Sequence, residues 1–239
     1  MSGVALVTGA SRGIGRAVAI EAARRGYDVL VGCVGAVAAA EAVAAAITGT
    51  GKQAAVCQAD LTQVEGLEAT VAAARTLGPV TLLVNNAGVT NSGPLGSLDW
   101  DRWHATLALN LTAPVWLARN LSSDLAAGRG AVINVGSTGG IVGSVHSLPY
   151  AASKAGLIGA TKTLARMLAP DVRVNLIAPG ITDTDLLQGV TLEQRVQILD
   201  GQPLARLGQA NEIARVIMDV ASWTYTTGQV VVADGGRVM

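Results

Sequence analysis

The sequence predicts one α/β domain, a doubly wound parallel sheet of seven strands flanked by helices, and three observations predict it. Short runs rich in β-branched residues alternate along the chain with Ala-rich segments of helical length. Several of those runs are apolar at nearly every position, as strands covered on both faces must be. The 239 residues, half of them hydrophobic, suffice for one substantial core and do not require a second. No linker, charge block, solenoid-length repeat or strongly biased tract divides the chain, so 1–239 reads as one unit.

Taken in order, strands are expected near Val4–Thr8, Asp28–Cys33, Gln53–Gln58, Thr81–Asn85, Ala131–Val135, Arg173–Ile177 and Gln229–Ala233. Helices fill the gaps, at Ile14–Arg25, Val37–Ile47, Val64–Leu77, Trp100–Leu125, Tyr150–Leu168 and Asn211–Ala221. The least regular stretch is Gly180–Gly208, which carries Leu186, Leu187, Val190, Leu192, Val196, Ile198 and Leu199. It reads either as a cover over a ligand at the carboxyl edge of the sheet or as an ordinary amphipathic connector.

Charge narrows the partners. Lys plus Arg and Asp plus Glu number 17 each, so no bulk field draws the chain to nucleic acid or anionic membrane. The apolar opening lacks a basic leader and no segment has bilayer-spanning length, which predicts a cytoplasmic protein. Cys33 and Cys57 stand apart without a CxxC or neighbouring His, predicting reduced thiols and no metal site.

The most informative motif is Thr8-Gly9-Ala10-Ser11-Arg12-Gly13-Ile14-Gly15, between the first strand and the first helix. There backbone amides and the helix dipole can receive a pyrophosphate, as in Rossmann-type domains. Gly9 suits the tight turn, Gly13 lets backbone approach phosphate oxygens, and Gly15 lets the helix pack on the strand. The spacing is GxxxGxG and not GxGxxG, and a Gly-rich turn alone can be merely structural.

TGASRGIG resembles the cofactor turn of the short-chain dehydrogenase/reductase family, and the resemblance continues through essentially all of the chain. Asp60, with Leu61, follows the third strand where that family places an acidic side chain near the adenine. Asn85-Asn86-Ala87-Gly88 resembles its NNAG turn. Asn110, Ser137 and Tyr150-Ala151-Ala152-Ser153-Lys154 match its catalytic positions, and Pro179-Gly180, with Thr182 and Thr184, resembles its nicotinamide-side segment. Within the family the pattern is most similar to 3-oxoacyl-[acyl-carrier-protein] reductases. The resemblance also implies a homotetramer or homodimer, with the helices Trp100–Leu125 and Tyr150–Leu168 at an interface.

The chemistry needs these residue types. Hydride transfer to a ketone leaves negative charge on its oxygen, which calls for a proton donor and a hydrogen-bonding group. Tyr150 can give the proton, and a nearby ammonium would favour its phenolate. Lys154 stands four residues on, on the same helical face, within reach of the phenol and of cofactor hydroxyls. Ser137 can hydrogen-bond the carbonyl oxygen; by the resemblance, Asn110 would hold a water in a proton relay with Lys154. Singly, YxxxK is commonly an exposed helix face, Ser137 a turn residue and Asn110 a buried amide; together in this order they read as a site. His146 reads as pocket lining or a polar loop residue, and His104 as structural.

The turn after the second strand, Gly32-Cys33-Val34-Gly35, carries no acid to repel a 2′-phosphate, and Arg12 matches a position used by NADP-preferring members; NADP(H) is therefore expected, with NAD(H) possible. The basic residues that carrier-linked relatives present are sparse in Leu125-Ala126-Ala127-Gly128-Arg129 and Ala169-Pro170-Asp171, although Arg173 lies nearby. Weak positive potential steers an acidic carrier poorly. The first expectation is accordingly reduction of a small, largely hydrophobic ketone or oxidation of a secondary alcohol, then a carrier-linked 3-oxoacyl reduction, with a non-catalytic nucleotide-binding regulator as the rival of another class. Thr182 departs from the Ile common in the family, and Ser222–Thr227 looks shortened.

Overall fold

The computed structural model describes residues 3–145, 147–183 and 199–238. Its sheet is formed by β1 (Val4–Val7), β2 (Asp28–Cys33), β3 (Ala54–Gln58), β4 (Val80–Asn85), β5 (Ala131–Val135), β6 (Arg173–Pro179) and β9 (Val230–Ala233). These seven strands are parallel and lie in the order β3-β2-β1-β4-β5-β6-β9. The seven expected runs are the seven strands, with β6 two residues longer than its pattern indicated. A separate two-stranded ladder pairs β7 (Thr182–Asp183) with β8 (Gly208–Gln209).

Strand alternation sends side chains to two apolar layers. Ala5, Val7, Val29 and Val31 pack with α1 (Gly13–Arg24), α2 (Val37–Thr48) and α9 (Ala210–Ser222) through Val18, Val43 and Ile217. Val4, Leu6, Leu30, Leu83 and Val132 face the other side, against Leu67 and Val71 of α3 (Val64–Leu77) and Leu164 of α8 (Leu148–Met167). Leu6, Leu30, Leu83 and Leu117 are fully buried, each contributing roughly 1.5–3 kcal/mol of transfer free energy. The central strands are therefore covered on both faces, and their ends remain to build a site.

The expected single helix Trp100–Leu125 is a correction. The chain forms α4 (Trp100–Leu107), a π-helical turn at Ala108–Thr112, α5 (Ala113–Asn120) and α6 (Ser122–Ala127). Ala113 N–H reaches back five residues to Ala108 O, and Pro114 at the start of α5 has no N–H to offer the Asn110 carbonyl one turn earlier. Apolar periodicity survives such a bulge, which is why the pattern reads as continuous. A short helix, α7 (Gly139–Val142), follows β5.

Strand order reverses between β1 and β4, since β1 leads outward to β2 and β4 to β5. Ligands of doubly wound sheets bind in the crevice outside the carboxyl ends at such a point.

Candidate active site

A cleft of about 470 Å³ opens at that crevice, and Gly9, Ser11, Arg12, Gly13, Ile14, Gly15, Asp60, Leu61, Asn86, Ala87 and Gly88 all line it. The first turn of α1 has no side-chain cap and no acidic residue, so its amides are left for an anion. Gly9 has φ 62°, a left-handed conformation that costs glycine little. A Cβ at Gly15 would lie 2.3 Å from Gly9 O and 2.4 Å from Asn86 Nδ2. Glycine is required there by closeness.

Thr8 and Asn86 hold this turn. Thr8 Oγ1 accepts from the amides of Asn86 (3.0 Å) and Ala87 (2.9 Å), while Asn86 Nδ2 donates to Thr8 O (2.9 Å) and Gly9 O (3.0 Å). The buttress joins the ends of β1 and β4, and pairwise reasoning along the sequence did not anticipate it. Asp60 spends Oδ1 on Thr62 N–H (2.9 Å) and on the Thr62 hydroxyl (2.8 Å), forming a local turn at the cleft wall. Cys33, Val34, Gly35 and Ala36 line the cleft beyond β2, with no carboxylate among them. Both thiols are free, and burial pushes the Cys33 thiol up.

Beside the cleft the remaining expected residues converge. The Ser137 hydroxyl lies beside the Tyr150 phenol and acts to lower its pKa, and Ser137 Oγ accepts from Gly139 N–H at 3.1 Å. Lys154 is 4% exposed; its Nζ donates to Val135 O at 2.7 Å and lies 5.7 Å from the Tyr150 ring centroid. A Cβ at Gly88, on the cleft wall, would stand 3.2 Å from Asn110 Oδ1 and 3.6 Å from Lys154 Nζ. Asn110 and Lys154 therefore lie directly behind the cleft wall. Asn110 is fully buried: Nδ2 donates to Val89 O (3.0 Å) and Ser153 Oγ (3.1 Å), and Oδ1 accepts from Val89 N–H (3.0 Å).

The electrostatics differ from the expectation in one respect. Burial holds the Tyr150 phenol above its usual range, opposed by the nearby Ser137 hydroxyl, so the neutral proton-bearing form is favoured. Lys154 is aimed at a carbonyl oxygen more closely than at the phenol, and desolvation lowers it from 10.5 to about 8, leaving it mainly ammonium at pH 7.

Pro179, Gly180 and Thr182 do not line the 470 Å³ cleft. They continue from β6 next to the Ser137 segment, where Thr138 N–H donates to Pro179 O at 3.1 Å. Thr182 is nearly buried and its hydroxyl donates to Gly180 O. Thr184, His146 and Leu186, Leu187, Val190, Leu192, Val196 and Ile198 lie outside the described residues. His104 is exposed on α4. No helix of the described residues is long and apolar enough to cross a membrane.

A glycine cradle at the sheet's switch point, backed by a Ser, Tyr and Lys group, defines a dinucleotide-dependent oxidoreductase site. Comparison with known proteins agrees. The family model described as short chain dehydrogenase matches residues 3–195, and the chain belongs to that family of oxidoreductases acting on CH–OH and keto groups. It is 39% identical over 241 residues to the 3-oxoacyl-[acyl-carrier-protein] reductase FabG of Pseudomonas aeruginosa, covering 99% of this chain and 97% of the relative. The FabG of Escherichia coli is 37% identical with the same coverage. Among solved structures, a blue fluorescent protein from a metagenomic library in complex with NADPH superposes with a TM-score of 0.93 at 32% identity, covering 99% of this chain and 98% of that one. The angucycline C-6 ketoreductase LanV with bound NADP gives 0.90 at 31% identity, with the same coverage.

Proposed function

We propose that the chain uses NADPH to reduce the 3-keto group of an acyl thioester, as a 3-oxoacyl-[acyl-carrier-protein] reductase does. One observation carries the chemistry: burial favours the proton-bearing form of Tyr150 beside the Ser137 hydroxyl, and Lys154 and Asn110 stand directly behind Gly88 of the cleft wall. The full-length likeness to carrier-linked reductases favours this substrate over the small free ketone expected from sequence. The cleft fits the cofactor, because its glycine cradle would be closed by a Cβ at Gly15 and its uncapped α1 amides suit a pyrophosphate. Bound there, the reduced nicotinamide supplies the hydride. Arg12 is the cation for a 2′-phosphate, and the acid-free turn at Cys33 leaves room for one.

Ser137 holds the substrate oxygen and Tyr150 delivers the proton to it as negative charge develops. Lys154 favours the phenolate left behind and holds cofactor hydroxyls. Asn110 keeps its side chain on Val89 and Ser153, so the relay water is assigned to its main-chain carbonyl, to which Pro114 has no N–H to offer. Thr182 is assigned to the nicotinamide side, as the resemblance implies for it and for Thr184.

A second reading, a small free ketone, is favoured by Arg173. Its guanidinium donates to Ala221 O at 2.6 Å and to Val220 O at 3.4 Å, and burial lowers its pKa, so it serves the end of α9 instead of an acidic partner. Exposed Arg129 is then the one cation of the expected docking pair open to a carrier. NADPH oxidation with 3-oxoacyl carrier protein, acetoacetyl-coenzyme A and a panel of activated ketones separates the readings. A kcat/KM at least about tenfold higher for the carrier thioester supports the first; a free ketone as the best substrate supports the second.

A further inference from the structure

Tyr150 lies in the first turn of α8, so whatever fixes the start of that helix also fixes the phenol. The N-cap is Ser147, 4% exposed, whose Oγ accepts from Tyr150 N–H at 3.4 Å. A cap needs only that acceptor. Ser147 does more: its hydroxyl donates to Asn91 O at 2.6 Å, in the segment that follows the Gly88 wall of the cleft. Asn91 is secured from the opposite side, with Nδ2 donating to Thr106 Oγ1 at 2.7 Å and Arg102 O at 3.3 Å, and fully buried Thr106 donating to Arg102 O at 2.7 Å.

The carbonyl of Tyr150 is held as well. Ser153 Oγ donates to Tyr150 O at 2.7 Å and accepts from Asn110 Nδ2, and Asn110 clasps both polar backbone atoms of Val89. The Tyr150 residue is thus gripped at N–H by Ser147 and at C=O by Ser153, and both serines lead to the stretch 89–91. Of the two, Ser147 ties that stretch to the helix start directly, by a short bond that capping does not require.

We infer that Ser147 is a positioning residue for the reaction: its two hydrogen bonds set Tyr150 against the Gly88–Asn91 side of the cofactor cleft. The inference rests on Tyr150 being the proton donor. Productive geometry is steep in distance, and a displacement of about 1 Å can cost on the order of a hundredfold in rate. A loosened strap therefore lowers turnover while the glycine cradle, on other elements, keeps its hold on the cofactor.

The test measures kcat with the ketone that the parent reduces fastest, the NADPH dissociation constant and the thermal midpoint. Ser147→Ala is expected to lose about 10- to 100-fold in kcat with NADPH binding within about twofold of the parent. Ser147→Gly separates strap from cap, because glycine caps nearly as well as serine but has no hydroxyl; it is expected to keep most of the thermal stability and lose the same turnover. Ser147→Thr retains donor and acceptor and is expected to recover at least about half of kcat. Thr106→Val releases Asn91 from the far end without touching α8 and is expected to lower kcat several-fold, again with NADPH binding intact, so the test survives if a cap variant fails to fold. Parent-like kcat in both Ser147→Gly and Thr106→Val overturns the inference, as does a parallel loss of NADPH binding or a Ser147→Thr no better than Ser147→Ala. Tyr150→Phe serves as the reference: if it is inactive while the Ser147 variants are parent-like, the strap alone fails, and if it retains parent turnover, the proton-donor reading itself fails.

Discussion

The turn at Gly9–Gly15 and the group at Ser137, Tyr150 and Lys154 face one crevice but are made of different materials. The first is backbone, shaped by atoms that are missing: a Cβ at Gly15 would overlap Gly9 O, and the α1 amides have no side-chain cap. The second is side chain, shaped by atoms that must be present and must be held, through Ser147, Ser153, Asn110 and the carbonyl of Val135. Added atoms should therefore damage binding, whereas removed atoms should damage chemistry. Each half can be broken without the other.

The largest effect on binding is expected from Gly15→Ala. Neither Gly9 O nor the Asn86 amide, already bonded to Thr8 and Gly9, can yield without dismantling the turn. NADPH affinity by titration calorimetry should fall at least about a hundredfold, with a stability loss of about 1–3 kcal/mol; near-parent affinity would show that the cradle tolerates added atoms. Ser137→Ala makes the opposite cut, lowering kcat by about 10²–10³ with NADPH binding unchanged. A loss expressed in binding alone would erase the distinction between the halves.

Lys154→Met sharpens the comparison through stability. The Lys154 pKa is about 8 in the folded protein against an ordinary 10.5. Below pH 8 the lysine is protonated in both states and folding bears the full cost of burying its charge; between pH 8 and 10.5 the unfolded chain holds the extra proton, so stability rises with pH. The cost is on the order of 3 kcal/mol, less whatever the bond to Val135 O returns. Urea unfolding of parent and Lys154→Met from pH 7 to 10 should show the variant more stable at pH 7 and the difference closing as pH rises, while its turnover is lost. A constant difference would mean that the lysine is not buried as a cation. The smallest effect is that of Arg12→Ala, expected to lower kcat/KM for NADPH about tenfold and to leave NADH nearly unchanged.

The backbone half was the more legible in sequence. Glycine positions advertise themselves, and the run from Thr8 to Gly15 identified its strand, helix and ligand class before any geometry. What no pattern conveyed was the cross-strand buttress of Thr8 and Asn86, which depends on β1 and β4 being neighbours although 78 residues separate the bonded pair. In the side-chain half the order of Ser137, Tyr150 and Lys154 along the chain brings them forward as candidates, but it does not bring forward their supports. Ser147 carried a signal, being a cap residue two positions before Pro149 at a helix start. Pro114 was likewise a mark of the break in the long helix, masked by apolar periodicity that continued across it. The upward displacement of the phenol followed from burial, which a sequence spacing does not report.

The claim on which both halves depend is that the Tyr150 hydroxyl gives its proton to the substrate oxygen. Single-turnover oxidation of bound NADPH by Tyr150→Phe, in folded and fully loaded protein, measures it most directly. The rate should fall by about 10²–10⁴ while the NADPH dissociation constant stays within a few-fold of the parent; hydride transfer at the parent rate would contradict the account.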